Sequence, residues 1–253
     1  MKSVWLLKAS EDSNDNYVKS INTAGFSTSI IPVLSFKFIN KDVIKDTLKV
    51  PDQHSGIVFT SPRAVQAIAE VFQLLSTEFH EEWNKKKIFV IGEATSSAVK
   101  QLLSFKHIIG ENSFTAKNLA PIIIKETVEF DKPLFIPCGN QKREELPRLL
   151  AEEHRDFRSL MCYETHPHPE LSNTIKTLNS VGNKPNFIIF FSPSGVKYTL
   201  PVFKTLDINL ENVQVIAIGP TTNSTLVENE INVSGVCPSP SPDGVVHVLK
   251  GLS

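Results

Sequence analysis

Cysteine is scarce: Cys138, Cys162 and Cys237 are the only three in 253 residues. An odd count without Cys-x-x-Cys spacing excludes a disulfide framework and a cysteine-built zinc site, and points to a reduced, intracellular setting. Long apolar runs are missing as well. Met1 to Lys8 carries one internal cation and a four-residue apolar run, Val4 to Leu7, too short for a signal-peptide core or a membrane span. It reads as a first strand, and the cytosol is the expected location, with no membrane contact. Neither sign of charge is in excess: 26 Lys and Arg stand against 27 Asp and Glu, so no global field recruits nucleic acid or an anionic surface. Any anion site must then be local, and the expected partner is a small molecule. There is also no nucleophile elbow, phosphate-binding loop, dinucleotide glycine pattern or metal-spaced cluster, so neither a cofactor nor a metal is expected.

What is present is an ordinary globular composition, 41% hydrophobic and 21% charged, which excludes disorder and a fibrous repeat. The length exceeds that of a usual single domain, so two domains and a cleft are expected. Short runs of Val, Ile and Phe alternate with stretches of helical period, the pattern of βαβ units and a parallel sheet, hence an α/β fold. Strands are predicted at Val4 to Lys8, Ile30 to Leu34, Gly56 to Thr60, Ile88 to Gly92, Leu134 to Cys138, Ser159 to Tyr163, Phe187 to Phe191 and Val213 to Gly219. Helices fill the gaps, most clearly after Pro62, where Val65, Ile68, Ala69, Phe72 and Leu75 recur at spacings of three and four.

The chain is internally duplicated. Phe59-Thr60-Ser61-Pro62-Arg63-Ala64-Val65 returns 131 positions later as Phe190-Phe191-Ser192-Pro193-Ser194-Gly195-Val196. Phe89-Val90-Ile91-Gly92-Glu93-Ala94-Thr95 returns 127 positions later as Ile216-Ala217-Ile218-Gly219-Pro220-Thr221-Thr222. Each half thus has a strand-helix-strand unit, a connector, a strand ending in Ser-Pro with its helix, and a strand ending in Ile-Gly with its helix. Residues 37–55 and 164–185 break the plan; the second holds Thr165-His166-Pro167-His168-Pro169, an extended crossing stiffened by proline.

Serine before proline at a strand end is a helix start: Ser caps the first turn and Pro takes the position whose N–H would be unpaired anyway. Such helix N-termini lie at the carboxyl edge of a parallel sheet, where ligands bind and backbone dipoles favour negative charge. A single Ser-Pro is an ordinary cap. Two of them on matching strands, with two Ile-Gly turns, place Ser61, Arg63, Thr95, Ser192, Ser194, Thr221 and Thr222 at corresponding edges, expected to face one shared cleft that binds an anion. Cys138-Gly139-Asn140 with Lys142-Arg143 ends a strand, as a plain turn or as a cradle for carboxylate. His166-x-His168 reads as a solvated connector, since a third ligand is missing nearby. Glu93 follows a turn expected to accept anions and carries no assigned role.

Taken together, these segments resemble one family, the uroporphyrinogen-III synthases, most closely the animal members. The resemblance rests on Phe59 to Val65, on Pro137-Cys138-Gly139-Asn140 with Lys142-Arg143-Glu144, on Tyr163 with Thr165, on Phe190 to Gly195 and on Ala217 to Thr222, in the family's order over nearly the whole chain. It implies two flavodoxin-like lobes joined by a two-stranded linker, one formed by residues 1–35 with 168–253 and the other by 37–164, with crossings near 35–37 and 164–168. It also implies a monomeric hydro-lyase that closes the linear tetrapyrrole hydroxymethylbilane to uroporphyrinogen III, losing water and inverting the last pyrrole ring, without cofactor or metal. Every pyrrole of that substrate bears an acetate and a propionate, which suits helix N-termini and hydroxyls. The resemblance makes Tyr163 the candidate to assist the departing hydroxyl, against a plain packing role, and the other seven residues the substrate-binding set. The sequence departs from the family at Ser241-Pro242-Asp243-Gly244, which weakens a carboxylate site there. A non-catalytic bilobed anion-binding protein is the alternative; a sugar-nucleotide transferase lacks its acidic metal-binding pair.

Overall fold

The computed structural model describes residues 1–9, 15–127, 131–141, 144–180 and 184–253. The apolar runs become strands: β1 (Ser3–Lys8), β2 (Ser27–Pro32) and β3 (Leu34–Phe38), with α1 (Asn16–Thr23) between the first two. Next come α2 (Lys41–Leu48), β4 (Gly56–Phe59), α3 (Pro62–Phe72), α4 (Thr77–Asn84), β5 (Lys87–Val90), α5 (Glu93–Leu102), β6 (Ile108–Ile109) and α6 (Ala116–Glu126). The second half adds β7 (Leu134–Gly139), α7 (Glu145–Glu152), β8 (Phe157–Pro167), α8 (Leu171–Ser180), β9 (Phe187–Phe190) and α9 (Pro193–Thr205). It ends with β10 (Gln214–Ala217), α10 (Pro220–Glu228), β11 (Gly235–Val236) and α11 (Pro242–Gly251). Among the described residues no helix is long and apolar enough to cross a membrane.

Two units form. The terminal unit joins Met1–Ser35 to His166–Ser253, and the central unit is Phe36–Thr165. In the terminal unit the sheet order is β11-β10-β9-β1-β2, with every neighbouring pair parallel. Numbered along the unit, that is 2-1-3-4-5, the flavodoxin-like order. The central sheet runs β3-β8-β7-β4-β5-β6, parallel from β8 to β6. It has the same order once β7 and β8 are taken as first and second strands, although they come last in the chain. The two sequence repeats therefore exchange their opening strand-helix-strand pieces: β1 and β2 join β9, β10 and β11, while β7 and β8 join β4, β5 and β6.

Both faces of each sheet are covered, so the strands read as near-continuous apolar runs. On β4, Ile57 and Phe59 join one buried cluster with Val65, Ile68, Phe72 and Trp83, while Val58 joins another with Leu119, Ile123 and Leu146. The period-2 alternation of a strand thus serves two cores. In the terminal unit Val4, Leu6, Phe187, Ile189 and Ile216 pack with Val245 and Leu249 of α11.

Several elements depart from the sequence expectation. Residues 37–55, read as a break in the repeat, are regular in themselves: they hold the end of β3 (a sixth strand without counterpart in the other sheet), the helix α2 and a single turn of 3₁₀ helix at Pro51–Gln53. α2 starts from Asn40 in the left-handed region (φ 56°) without a side-chain cap, so the usual start signal is missing, and Ile44 and Leu48 fix it by burial. The crossing after Glu164 is also more regular than expected, since β8 continues to Pro167 and α8 follows. β6 and β11, two residues each, are too short to show alternation.

His54 is 2% exposed, stacked on Trp83 (5.9 Å, 26°) and near the Phe135 ring (5.7 Å), and its Nδ1 has no hydrogen-bond partner. Burial, with the charge of Arg158 adding to it, holds its pKa below the ordinary 6.5. A histidine kept neutral in the fold contributes stability above the unfolded-state pKa that is lost as the pH falls through the lower folded value. Urea unfolding at pH 7.5 and pH 5.5 should therefore show a larger acid loss for the wild type than for His54→Phe; equal losses mean that His54 is not the linked group.

Candidate active site

Ser61 and Ser192 hold matching extended conformations (φ −157°, ψ 150° and φ −163°, ψ 155°) at the carboxyl ends of their sheets. Ser61 Oγ accepts from Ala64 N at 3.2 Å and Ser192 Oγ from Gly195 N at 3.0 Å, each with proline opening the helix. Ser241 repeats the device on α11, accepting from Gly244 N at 3.1 Å. The hydroxyls then diverge in use. Ser192 Oγ is 3.3 Å from Ser194 Oγ, whereas Ser61 Oγ is 3.1 Å from the phenol oxygen of Tyr163.

Tyr163 is placed by backbone. β7 and β8 pair residue for residue up to Cys138 with Met161; a bulge then leaves Cys162 extra and sets Gly139 opposite Tyr163. A Cβ at Gly139 would stand 2.5 Å and 2.6 Å from two ring carbons of Tyr163, so the phenol lies where residue 139 has no side chain. Asn140 locks the other side: its N–H donates to Tyr163 O (3.1 Å), and its Oδ1 accepts from Thr165 N (2.9 Å). The Cys138-Gly139-Asn140 turn thus serves to position β8. Lys142 and Arg143 lie outside the described residues.

Arg63 extends over the Phe36 ring, its guanidinium carbon 4.1 Å from the centroid, and donates to Gln66 Oε1 at 2.8 Å. Phe36 in turn meets the Tyr163 ring edge-on at 6.4 Å. Burial lowers the Arg63 pKa, opposed by the nearby Tyr163 phenol, and a guanidinium stays cationic at neutral pH in either case. A cavity of about 390 Å³ opens here, with Thr60, Ser61, Cys138, Gly139, Gln141 and Tyr163 in its wall. It lies between β7 and β4, the point where strand order reverses, and such points hold ligands in open α/β sheets.

Thr95 sits in the first turn of α5 after Gly92, whose φ of 80° favours glycine, and is 1% exposed. Thr222, its counterpart on α10, is 3% exposed, while Thr221 and Glu93 are exposed and Ser194 is half-buried. At these two threonines the fold closes off the hydroxyl. Ser61, Arg63, Thr95 and Tyr163 belong to the central unit, and Ser192, Ser194, Thr221 and Thr222 to the terminal one.

The terminal unit carries a feature that the motifs did not mark. Lys8 ends β1 with its side chain 14% exposed, ion-paired to Asp15 and lying 5.2 Å and 5.5 Å from the Tyr17 and Phe191 ring centroids. Asp15 caps α1, accepting from Tyr17 N at 2.8 Å. Burial works to raise the Asp15 pKa, but the Lys8 bond and charge and the amides of Val18 and Tyr17 bring it below the ordinary value. Among the described residues no three His, Cys, Asp or Glu side chains group so as to hold a metal ion.

A profile of the family described as "Uroporphyrinogen-III synthase HemD" matches residues 15–247. The chain belongs to this family. Among its relatives, the uroporphyrinogen-III synthase of Schizosaccharomyces pombe is 29% identical over 98% of this chain and 96% of its own length. That of Saccharomyces cerevisiae is 23% identical over 98% and 95%. The fold is shared with the solved uroporphyrinogen-III synthetase of Helicobacter pylori (TM-score 0.67, 19% identity, 100% of both chains). It is also shared with a mutant uroporphyrinogen III synthase of Thermus thermophilus (TM-score 0.61, 18% identity, 100% of this chain and 97% of that one).

The two serines of this synthase-family chain differ in a measurable way. Ser192→Ala removes a cap and should cost about 1 kcal/mol. Ser61→Ala removes a cap and a phenol partner, and should cost roughly 1 kcal/mol more. Equal losses in urea unfolding contradict a Ser61–Tyr163 bond in solution.

Proposed function

We propose that this chain closes hydroxymethylbilane to uroporphyrinogen III with loss of water and inversion of the last pyrrole ring, and that Tyr163 assists the departing hydroxyl. The family places the chain among the lyases of haem and porphyrin biosynthesis. The observation that carries the Tyr163 assignment is the 3.1 Å contact between Ser61 Oγ and the phenol at the cavity wall. With its ring fixed by Gly139 and Phe36, Tyr163 keeps one free rotor, its O–H, which turns from Ser61 to a leaving hydroxyl. The electron-rich pyrrole supplies the push, so the protein needs only a proton donor and control over which carbon is attacked.

In this reading Ser61, Arg63, Ser192, Ser194 and Thr221 hold substrate carboxylates through their side chains. Thr95 and Thr222, with buried hydroxyls, mark first turns that act through backbone N–H groups. The enzyme works as a monomer in the cytosol. Membership of a synthase family favours catalysis over the non-catalytic anion binder that the repeat alone left open.

Tyr163→Phe should lower kcat by about 10²-fold, within the range for loss of a general acid, with KM little changed. Gly139→Ala should lower kcat similarly by displacing the same phenol, while Thr221→Ala should raise KM and Thr222→Ala, which keeps its backbone N–H, should leave KM within about twofold. Unchanged kcat/KM in Tyr163→Phe removes Tyr163 from the mechanism.

A further inference from the structure

The cavity beside Tyr163 has a rim of a different character. Phe114 is 75% exposed, the one phenylalanine or tryptophan that the described residues leave open to solvent, and it stands on the cavity wall with Thr115 and Glu145. Its backbone is held on both sides. Ser113 N donates to Gly110 O at 2.8 Å, and Thr115 Oγ1 caps α6, accepting from Asn118 N at 3.3 Å. An aromatic ring on a fixed backbone loses little freedom on meeting a ligand, so exposing it to water at a cavity mouth is a recognition feature. Among the described residues lining the cavity, the single carboxylate is Glu145, with Lys117 Nζ at 3.9 Å.

The volume limits the occupant. About 390 Å³ lies near the lower end of small-molecule sites, roughly 300–1,000 Å³, room for one pyrrole with two acidic side chains and far too little for a tetrapyrrole. A pyrrole has a π-face, one N–H donor and, in this substrate, two carboxylates. The cavity offers the Phe114 ring for the face, the Glu145 carboxylate for the N–H, and the Ser61 and Thr115 hydroxyls for the acidic arms. Tyr163 stands in the same wall, so the ring that enters is the one whose hydroxyl leaves.

We propose that this cavity is a subsite for a single pyrrole, the terminal ring bearing the hydroxymethyl group, stacked on Phe114 with its N–H on Glu145. The assignment of that particular ring rests on Tyr163 as the group that assists hydroxyl departure; occupation by one pyrrole does not.

The probe is a monopyrrole bearing one acetate and one propionate, titrated into the ¹⁵N-labelled full chain and followed by NMR, a measurement independent of turnover. Saturable shifts at residues 114–116, 139 and 145, weakened about 3- to 10-fold in Phe114→Ala and again in Glu145→Ala, are expected. In turnover Phe114→Ala should raise KM by a similar factor and leave kcat within about twofold, since Tyr163 is untouched, whereas Glu145→Ala should raise KM and also lower kcat, because the N–H it holds turns cationic as the hydroxyl leaves. Phe114 is exposed and Glu145 half-buried, and matching melting temperatures for wild type and variants establish that the fold is kept. No saturable shifts at these residues, or equal affinity in Phe114→Ala, overturns the subsite. If the monopyrrole binds as expected but Tyr163→Phe turns over normally, the subsite stands and the role of Tyr163 fails.

Discussion

Tyr163 lies against Gly139 so closely that a single methyl group there would overlap its ring. The rest of the candidate site depends on that contact. The bulge after Cys138 brings Gly139 opposite Tyr163, the Asn140 side chain fastens the strand beyond it, and Phe36 closes the remaining side. Once the ring is fixed, its oxygen meets Ser61, which already caps α3. Helix start, strand bulge and missing side chain converge on one hydroxyl, a geometry that needs little further adjustment before chemistry.

The exchanged repeats explain why such a site exists in a duplicated chain. Each flavodoxin-like sheet needs five strands, and each repeat supplies them, but the opening strand-helix-strand piece of one repeat completes the sheet begun by the other. The strand carrying Tyr163 therefore comes from the second repeat and the turn carrying Ser61 from the first. Their contact spans 102 positions of sequence and forms only when the exchange is made. In the terminal unit the corresponding join sets β1, with Lys8 at its end, beside the turn that carries Ser192. Related sequence thus gives two unlike edges: a phenol beside a cavity in one unit, and a lysine paired with Asp15 under two aromatic rings in the other.

Much of this was legible in the residues themselves. Val, Ile and Phe runs marked the buried strands because parallel sheets covered on both faces tolerate little else. Ser-Pro marked helix starts because cap and missing N–H reinforce each other. The resemblance supplied the family and its activity. Other features were hidden for physical reasons. α2 begins without a capping side chain, so only burial of Ile44 and Leu48 reveals it. The roles of Phe36 and Asn140 were hidden even where a quoted segment held the residue, because Phe36 acts through neighbours distant in sequence and Asn140 fastens the backbone of β8. Thr95 and Thr222 look like donors in a string of letters, yet packing closes their hydroxyls off. Phe114 reads as one more apolar residue until its exposure is seen beside the cavity.

The proposed function stands on this chain governing how the linear tetrapyrrole closes. Isomer composition tests it most directly, because a linear tetrapyrrole left to itself closes without inverting its last ring. Purified protein incubated with hydroxymethylbilane should give the type III ring, faster than spontaneous closure. Formation of the type I ring alone, at the spontaneous rate, would contradict the account.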